Sequence, residues 1–198
     1  SLGQVVDAAV SVHDETARSE QLQEAEFYLQ RLEEAGIDSE ELRWQRSRLD
    51  SLLGRSQRRW EDLHAILADH VHPRNAHAHF AIAQGLLSGE WNWRLEGLLP
   101  RSAFDLVEDH LFSAIELDTD SQTTLAARKL LVEMYLTVGR LQEACDQMLL
   151  YPVYMPEERL RLANTLEQLG NRERAQSHAQ LALPVFRQPV EEGSQDPD

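Results

Sequence analysis

The alternation of apolar and polar residues is clearest over residues 125–187, where it has the period of an α-helix. One apolar face recurs at the spacing i, i+3, i+4 and i+7, and consists of Ala127, Leu130, Leu131, Met134, Tyr135 and Val138. Gly139 follows this face and predicts the end of the helix, because glycine readily adopts a left-handed cap. The same order returns 31 residues later, where Gly170 follows Leu166 and Leu169. The pattern predicts two consecutive helix pairs.

Small residues open the second helix of each pair. Ala144 lies five positions after Gly139, and Ala175 lies five positions after Gly170. The separation of two packed helices depends on the side chains at their contact, so alanine at both places predicts a close approach.

The rest of the chain contains further helical patterns that are separated by glycine or proline. A weak helix is predicted over residues 1–17, and Ser19 is predicted to cap the next helix, which ends at Gly36. Ser39 opens a helix that ends at Gly54, and residues 57–70 form its partner. Asn75 caps a helix that ends at Gly89. The pattern resumes at residue 103, so residues 90–102 are interpreted as an inserted, apolar loop.

Residues 188–198 have no helical period and contain proline, glycine and several acids. This composition predicts a disordered acidic tail. Residues 1–187 are therefore predicted to form one helical repeat domain, which carries the insertion at 90–102.

A helix pair repeated at this period resembles the tetratricopeptide repeat family, whose unit is about 34 residues. The resemblance is strongest over residues 125–187. An aromatic residue and several small residues occupy the positions that the family favours: Tyr135, Ala163, Ala144, Ala175, Ala114 and Ala182. The segment "ELDTDS" at 116–121 is similar to the "ELDPNN" that closes many family repeats, although it lacks the proline.

The resemblance implies an all-α fold, a right-handed α-solenoid of about five helix hairpins. It also implies a scaffold or adaptor that binds a peptide or protein in a concave groove. Placing the family's groove positions on this chain selects Trp44, Arg48, His79, Ala83, Lys129, Glu133, Asn164 and Gln168. Glu167 lies beside this set. Trp91 and Trp93 are candidate anchors at its edge, because tryptophan is enriched in interface hot spots, but the inserted loop could equally fold back and bury them.

Composition narrows the class of partner. The net charge is −15, which opposes nonspecific binding to nucleic acid and favours a partner with basic and apolar residues. No apolar run is long enough to span a bilayer, so no membrane insertion of this segment is expected. A soluble, cytoplasmic setting is slightly favoured, although a chain that begins without Met could be a fragment of a longer or anchored protein.

Four histidines within ten residues are weak candidates for metal ligands: His70, His72, His77 and His79. Imidazole binds zinc, copper and nickel, but helical residues two positions apart do not face the same way. A polar connector is the favoured interpretation. Cys145 is interpreted as a small buried residue and not as a nucleophile.

Arginines are dense between Arg43 and Arg59, but acidic residues are interspersed, which favours ion pairs between helices over a nucleic-acid surface. No sequence motif indicates an enzyme or a cofactor. The alternatives are a non-catalytic docking domain of a larger enzyme or membrane-associated complex, and a histidine-rich metal-binding protein.

Overall fold

A computed structural model describes residues 2–68, 75–96, 100–118, 121–150 and 155–186. The regular structure of these residues is entirely helical, which confirms the all-α prediction. The predicted tail at 188–198 lies outside the described residues. Among the described residues, no helix is both long enough and apolar enough to cross a bilayer.

The helices follow the predicted order along the chain. Their bounds are α1 Leu2–Ser11, α2 Glu15–Glu34, α3 Glu40–Leu53, α4 Ser56–Ala68, α5 Asn75–Leu87, α6 Asn92–Leu95, α7 Pro100–Leu117, α8 Ser121–Thr137, α9 Leu141–Leu149, α10 Pro156–Gln168 and α11 Arg172–Phe186.

The start of α2 differs from the prediction. α1 ends at Ser11, and α2 begins at Glu15 with Asp14 as its N-cap. The Ala17 amide donates to the Asp14 carboxylate at 2.9 Å. Ser19 therefore lies inside α2 and is not a cap. Asp and Ser are similarly good caps, so the residue types alone could not separate the two starts.

Other helix ends agree with the sequence. The Ser39 hydroxyl accepts from the Leu42 amide at 3.1 Å and caps α3 as predicted. Gly139 and Gly170 have φ angles of 76° and 80°. A residue with a side chain is strained in this left-handed region of φ. Both turns between adjacent helices therefore favour glycine, which adopts this conformation without strain.

The chain divides into two compact units, Ser1–Thr124 and Leu125–Asp198, with the boundary inside α8. In the first unit α1 packs against α2, α3 against α4, and α5 against both α4 and α7. In the second unit α10 packs against α9 and α11. The single domain over 1–187 stays a prediction.

The inserted segment at 90–102 contains α6 and the start of α7, while residues 97–99 lie outside the described part. Because α5 packs directly against α7, this segment connects the two helices of one pair.

Candidate functional site

The first candidate site is a cleft between α8 and α10 in the second unit. It has a volume of about 290 Å³ and is lined by Lys129, Val132, Glu133, Glu157, Glu158 and Arg161. Val132 is buried at its floor. Ion pairs join Lys129 to Glu158 and Glu133 to Arg161. The side chains of Lys129, Glu133 and Arg161 are about half exposed. Because exposed ion pairs contribute little free energy, replacing them with ion pairs to a binding partner costs little.

A second groove lies between α10 and α11. It has a volume of about 160 Å³ and is lined by Leu160, Ala163, Asn164, Glu167, Arg172, Ala175, Gln176 and Ala179. Three alanines make its floor, and Asn164 and Glu167 are exposed. Gln168 is exposed next to Glu167 at the end of α10. The structure thus brings Lys129 and Glu133 together in one cleft, and Asn164 and Glu167 together in the next groove.

The predicted groove residues of the first unit have other environments. Trp44 is half-buried, with its ring centroid 5.6 Å from that of His77. Arg48 donates to the Asp7 carboxylate at 2.6 Å. Ala83 is completely buried within α5, so it offers no surface to a partner. This corrects its placement on a binding surface: the position faces the core of the unit and not solvent.

Trp91 is also buried, which corrects its placement as an exposed anchor. Its indole N–H donates to the Ser56 carbonyl at 2.8 Å, and its ring contacts Trp60 edge to face, with the centroids 5.1 Å apart. The guanidinium of Arg59 lies 5.2 Å from the ring centroid. Burial of this large ring with its N–H bonded stabilises the connection between α5 and α7. The Trp93 side chain lies outside the described residues.

A glycine makes room for Trp91. A Cβ atom built on Gly85 would lie 2.3 Å from the Trp91 ring, which is far inside van der Waals contact. Glycine within a helix costs about 1 kcal/mol relative to alanine. Here it allows the tryptophan to pack directly on the backbone of α5. Sequence reasoning missed this contact; a glycine inside the predicted helix was its one available signal.

The histidines that meet in the structure are not the group of four that the sequence places close together. His70 and His72 lie outside the described residues, and His77 is half-buried with its Nε2 3.4 Å from the Thr123 hydroxyl. His79 on α5 and His110 on α7 meet directly, with 2.8 Å between their Nδ1 atoms. Among the described residues, no group of three or more His, Cys, Asp or Glu is placed to hold a metal ion.

The contact between His79 and His110 requires at least one neutral ring, because one Nδ1 must accept while the other donates. Burial, and then the neighbouring His79 and His64, lower the pKa of His110 from 6.5 to about 4. Burial, and then His64, also lower the pKa of His79. These histidines are therefore uncharged at neutral pH. The sequence could not reveal the pair, since it depends on how α5 and α7 are aligned.

The arginines of α3 and α4 make the predicted ion pairs. Arg46 donates to Asp62 through Nε at 2.6 Å and also contacts Glu33 at 3.2 Å. The bond to Asp62 raises the pKa of Arg46 above its usual value. Further pairs join different helices or their connections: Arg48–Asp7, Arg55–Glu26, Arg58–Glu33 and Arg59–Glu90. These guanidinium groups are engaged within the unit, which is the arrangement that the interspersed acids indicated.

Asp50 is a buried carboxylate at the centre of this network. Its oxygens lie 3.7 Å from Arg55 and 3.6 Å from Arg58, and they make no hydrogen bond to the described residues. Burial raises the pKa of the Asp50 carboxyl, while the two arginines oppose that shift. Sequence reasoning assigned it no role.

Cys145 is 2% exposed on the apolar face of α9. Burial raises the pKa of its thiol, so the nucleophilic thiolate is disfavoured. The residue packs as the small buried side chain that the sequence predicted.

No protein-family model matches this chain, and no curated protein matches it.

Proposed function

We propose that this chain is a protein–protein interaction module, a scaffold or adaptor that binds a peptide or protein and has no catalytic activity or cofactor of its own. Its architecture in this proposal is a right-handed α-solenoid of about five hairpins similar to tetratricopeptide repeats. The glycine-ended helices and the repeated alanine positions of α8–α11 support it.

The observation that carries the proposal is the position of Lys129, Glu133, Asn164 and Glu167. The sequence assigned all four to a partner-binding surface. In the structure each of them lines one of the two clefts beside α10. These clefts combine an apolar floor with exposed polar rims, which is the usual composition of a protein interface.

The proposed partner segment carries basic residues next to apolar anchors. The chain has a net charge of −15, and Glu133 and Glu167 are exposed at the cleft rims. Electrostatic attraction between the negatively charged chain and a basic segment accelerates association, and salt weakens this attraction. The half-buried Leu160 supplies apolar contact surface. Nucleic acid is not the proposed partner, since the same field repels phosphate.

The test begins by isolating a partner with the intact chain and purifying it. Its affinity is then measured by calorimetry at low and high salt for wild type and for Glu133→Lys/Glu167→Lys. We expect the double variant to bind at least about tenfold more weakly, a change of about 1.4 kcal/mol, and to lose most of the salt dependence.

A matched control places the same charge change elsewhere on the second unit. Asp146→Lys/Glu173→Lys alters two exposed acids that line neither cleft. Equal weakening by both double variants would show that net charge alone matters, and unchanged affinity in the cleft variant would place the interface on another surface.

A further inference from the structure

We infer that the groove between α10 and α11 is the docking site for an amphipathic helix of a partner protein. This inference rests on the proposed function, in that it assumes a protein partner, but it assigns the partner's secondary structure and its place. The comparison of two equivalent helix pairs within the second unit carries it.

The pair α8–α9 has the same residue spacing as the pair α10–α11. With the offset of 31 residues, Val132 corresponds to Ala163, Ala144 to Ala175, Cys145 to Gln176 and Met148 to Ala179. In the first pair all four residues are at most 2% exposed. In the second pair Gln176 is exposed and Ala179 is half-buried. Two of the four equivalent positions are thus covered in the first pair and accessible in the second, while Ala163 and Ala175, each 6% exposed, are buried as their counterparts are.

A helix provides that cover in the first pair. α10 packs against α9, and it is tied to α8 by the ion pairs of Glu158 with Lys129 and of Arg161 with Glu133. The chain itself therefore shows what kind of element fits a groove of this shape. The structure contains no equivalent cover for the α10–α11 groove among the described residues.

The size of the groove also favours a helix. Its volume of about 160 Å³ is below the roughly 300–1,000 Å³ of small-molecule sites. The alanine floor leaves space for single side chains from a helix that lies along α10 and α11. Helices recognised in this way present apolar residues at i, i+3, i+4 and i+7.

The residues of the groove specify the chemistry of the docking helix. Leu160 occupies the position of Lys129, so the partner residue equivalent to Glu158 is apolar. Asn164 occupies the position of Glu133, so a hydrogen-bonding side chain replaces the charge pair. The exposed Glu167 attracts a basic residue, and the Arg172 guanidinium on the other wall donates to an acidic residue.

The experiment uses the intact chain and a synthetic helix as the probe. The peptide has the sequence of residues 155–169 with Glu158→Leu, and a hydrocarbon staple at the positions of Asn164 and Gln168 keeps it helical. We expect saturable binding by fluorescence anisotropy. Ala179→Arg, which fills the groove, should weaken binding at least about tenfold, whereas Gln180→Arg, an exposed neighbour outside the groove, should bind as wild type does.

Two further measurements make the result decisive. Glu133→Lys tests whether the peptide instead displaces α10 from α8, and loss of binding in that variant would overturn the assignment. Absence of binding at about 1 mM peptide, or equal binding by Ala179→Arg and wild type, would also overturn it. If Ala179→Arg loses helical circular dichroism, Asn164→Arg takes its place.

Self-association is tested by light scattering without peptide. A concentration-dependent dimer that Ala179→Arg abolishes would assign the groove to a second copy of this chain and overturn the partner assignment. The proposed function has a separate readout: a natural partner that depends on Glu133 alone would support an interaction module while contradicting the helix site.

Discussion

The α5–α7 interface of the first unit and the α10–α11 interface of the second reach close packing by different means. Beside the first, Trp91 packs on Gly85 of α5, and within it the half-buried His79 and His110 are in direct contact. The second brings two helices together over alanines, with Ala163 and Ala175 each 6% exposed. The first interface depends on specific side chains and their protonation, whereas the second depends mainly on side-chain size.

The largest expected effect comes from removing the tryptophan. Trp91→Ala deletes a fully buried ring and leaves the Ser56 carbonyl without its indole donor. We expect the free energy of unfolding to fall by about 3–5 kcal/mol, measured by urea denaturation. A variant as stable as wild type would show that Trp91 is not part of the core of the first unit.

Overpacking should destabilise the interface between α10 and α11. Ala175→Trp inserts a large ring where α10 and α11 approach closely, and we expect a loss of about 1–3 kcal/mol or more in thermal or urea unfolding. Gln176→Trp, an exposed neighbour on the same helix, is the control and should change stability little. Equal melting of Ala175→Trp and the control would contradict the close helix contact.

Gly85→Ala should destabilise the protein, which is the opposite of the usual effect of replacing a helical glycine with alanine. Alanine in place of a helical glycine usually stabilises by about 1 kcal/mol. Here the new Cβ meets the Trp91 ring, so we expect a net loss of about 1–2 kcal/mol. In a Trp91→Ala background the same change should stabilise, and a double-mutant cycle by urea denaturation would measure this coupling. Additive effects would contradict the contact.

The last expected effect is a pH dependence to which the histidine interface contributes. The pKa of His110 is about 4 in the folded protein and near 6.5 when unfolded, so the unfolded chain binds more protons between these values. Stability is complete above about pH 6.5 and falls as the pH drops towards about 4. The groups that shift His110 besides burial are His79 and His64.

Urea denaturation at about pH 7.5 and about pH 5 tests this dependence. His110→Asn should lose less stability on acidification than wild type does, whereas His13→Asn, a change at an exposed histidine, should behave as wild type. The same acid loss in all three proteins would assign the pH dependence to other groups.

Part of the candidate site followed from the sequence. The predicted repeat register assigned Lys129, Glu133 and Asn164 to a binding surface; all three line clefts in the structure, and their role in binding stays a prediction. The register could not show that Ala83 is enclosed, because burial of one helix face depends on the helices packed around it. It also could not separate the two clefts, since they exist only where α10 lies between α8 and α11.

The sequence by itself determined the helices and most of their ends. Helical periodicity, the Ser39 cap and the turns at Gly139 and Gly170 depend on neighbours within a few positions, so they can be read locally. Tertiary structure alone decided that Trp91 is buried on Gly85 and that His79 meets His110. Such contacts depend on the alignment of one helix with another, and residue types along one helix do not encode the neighbour's position.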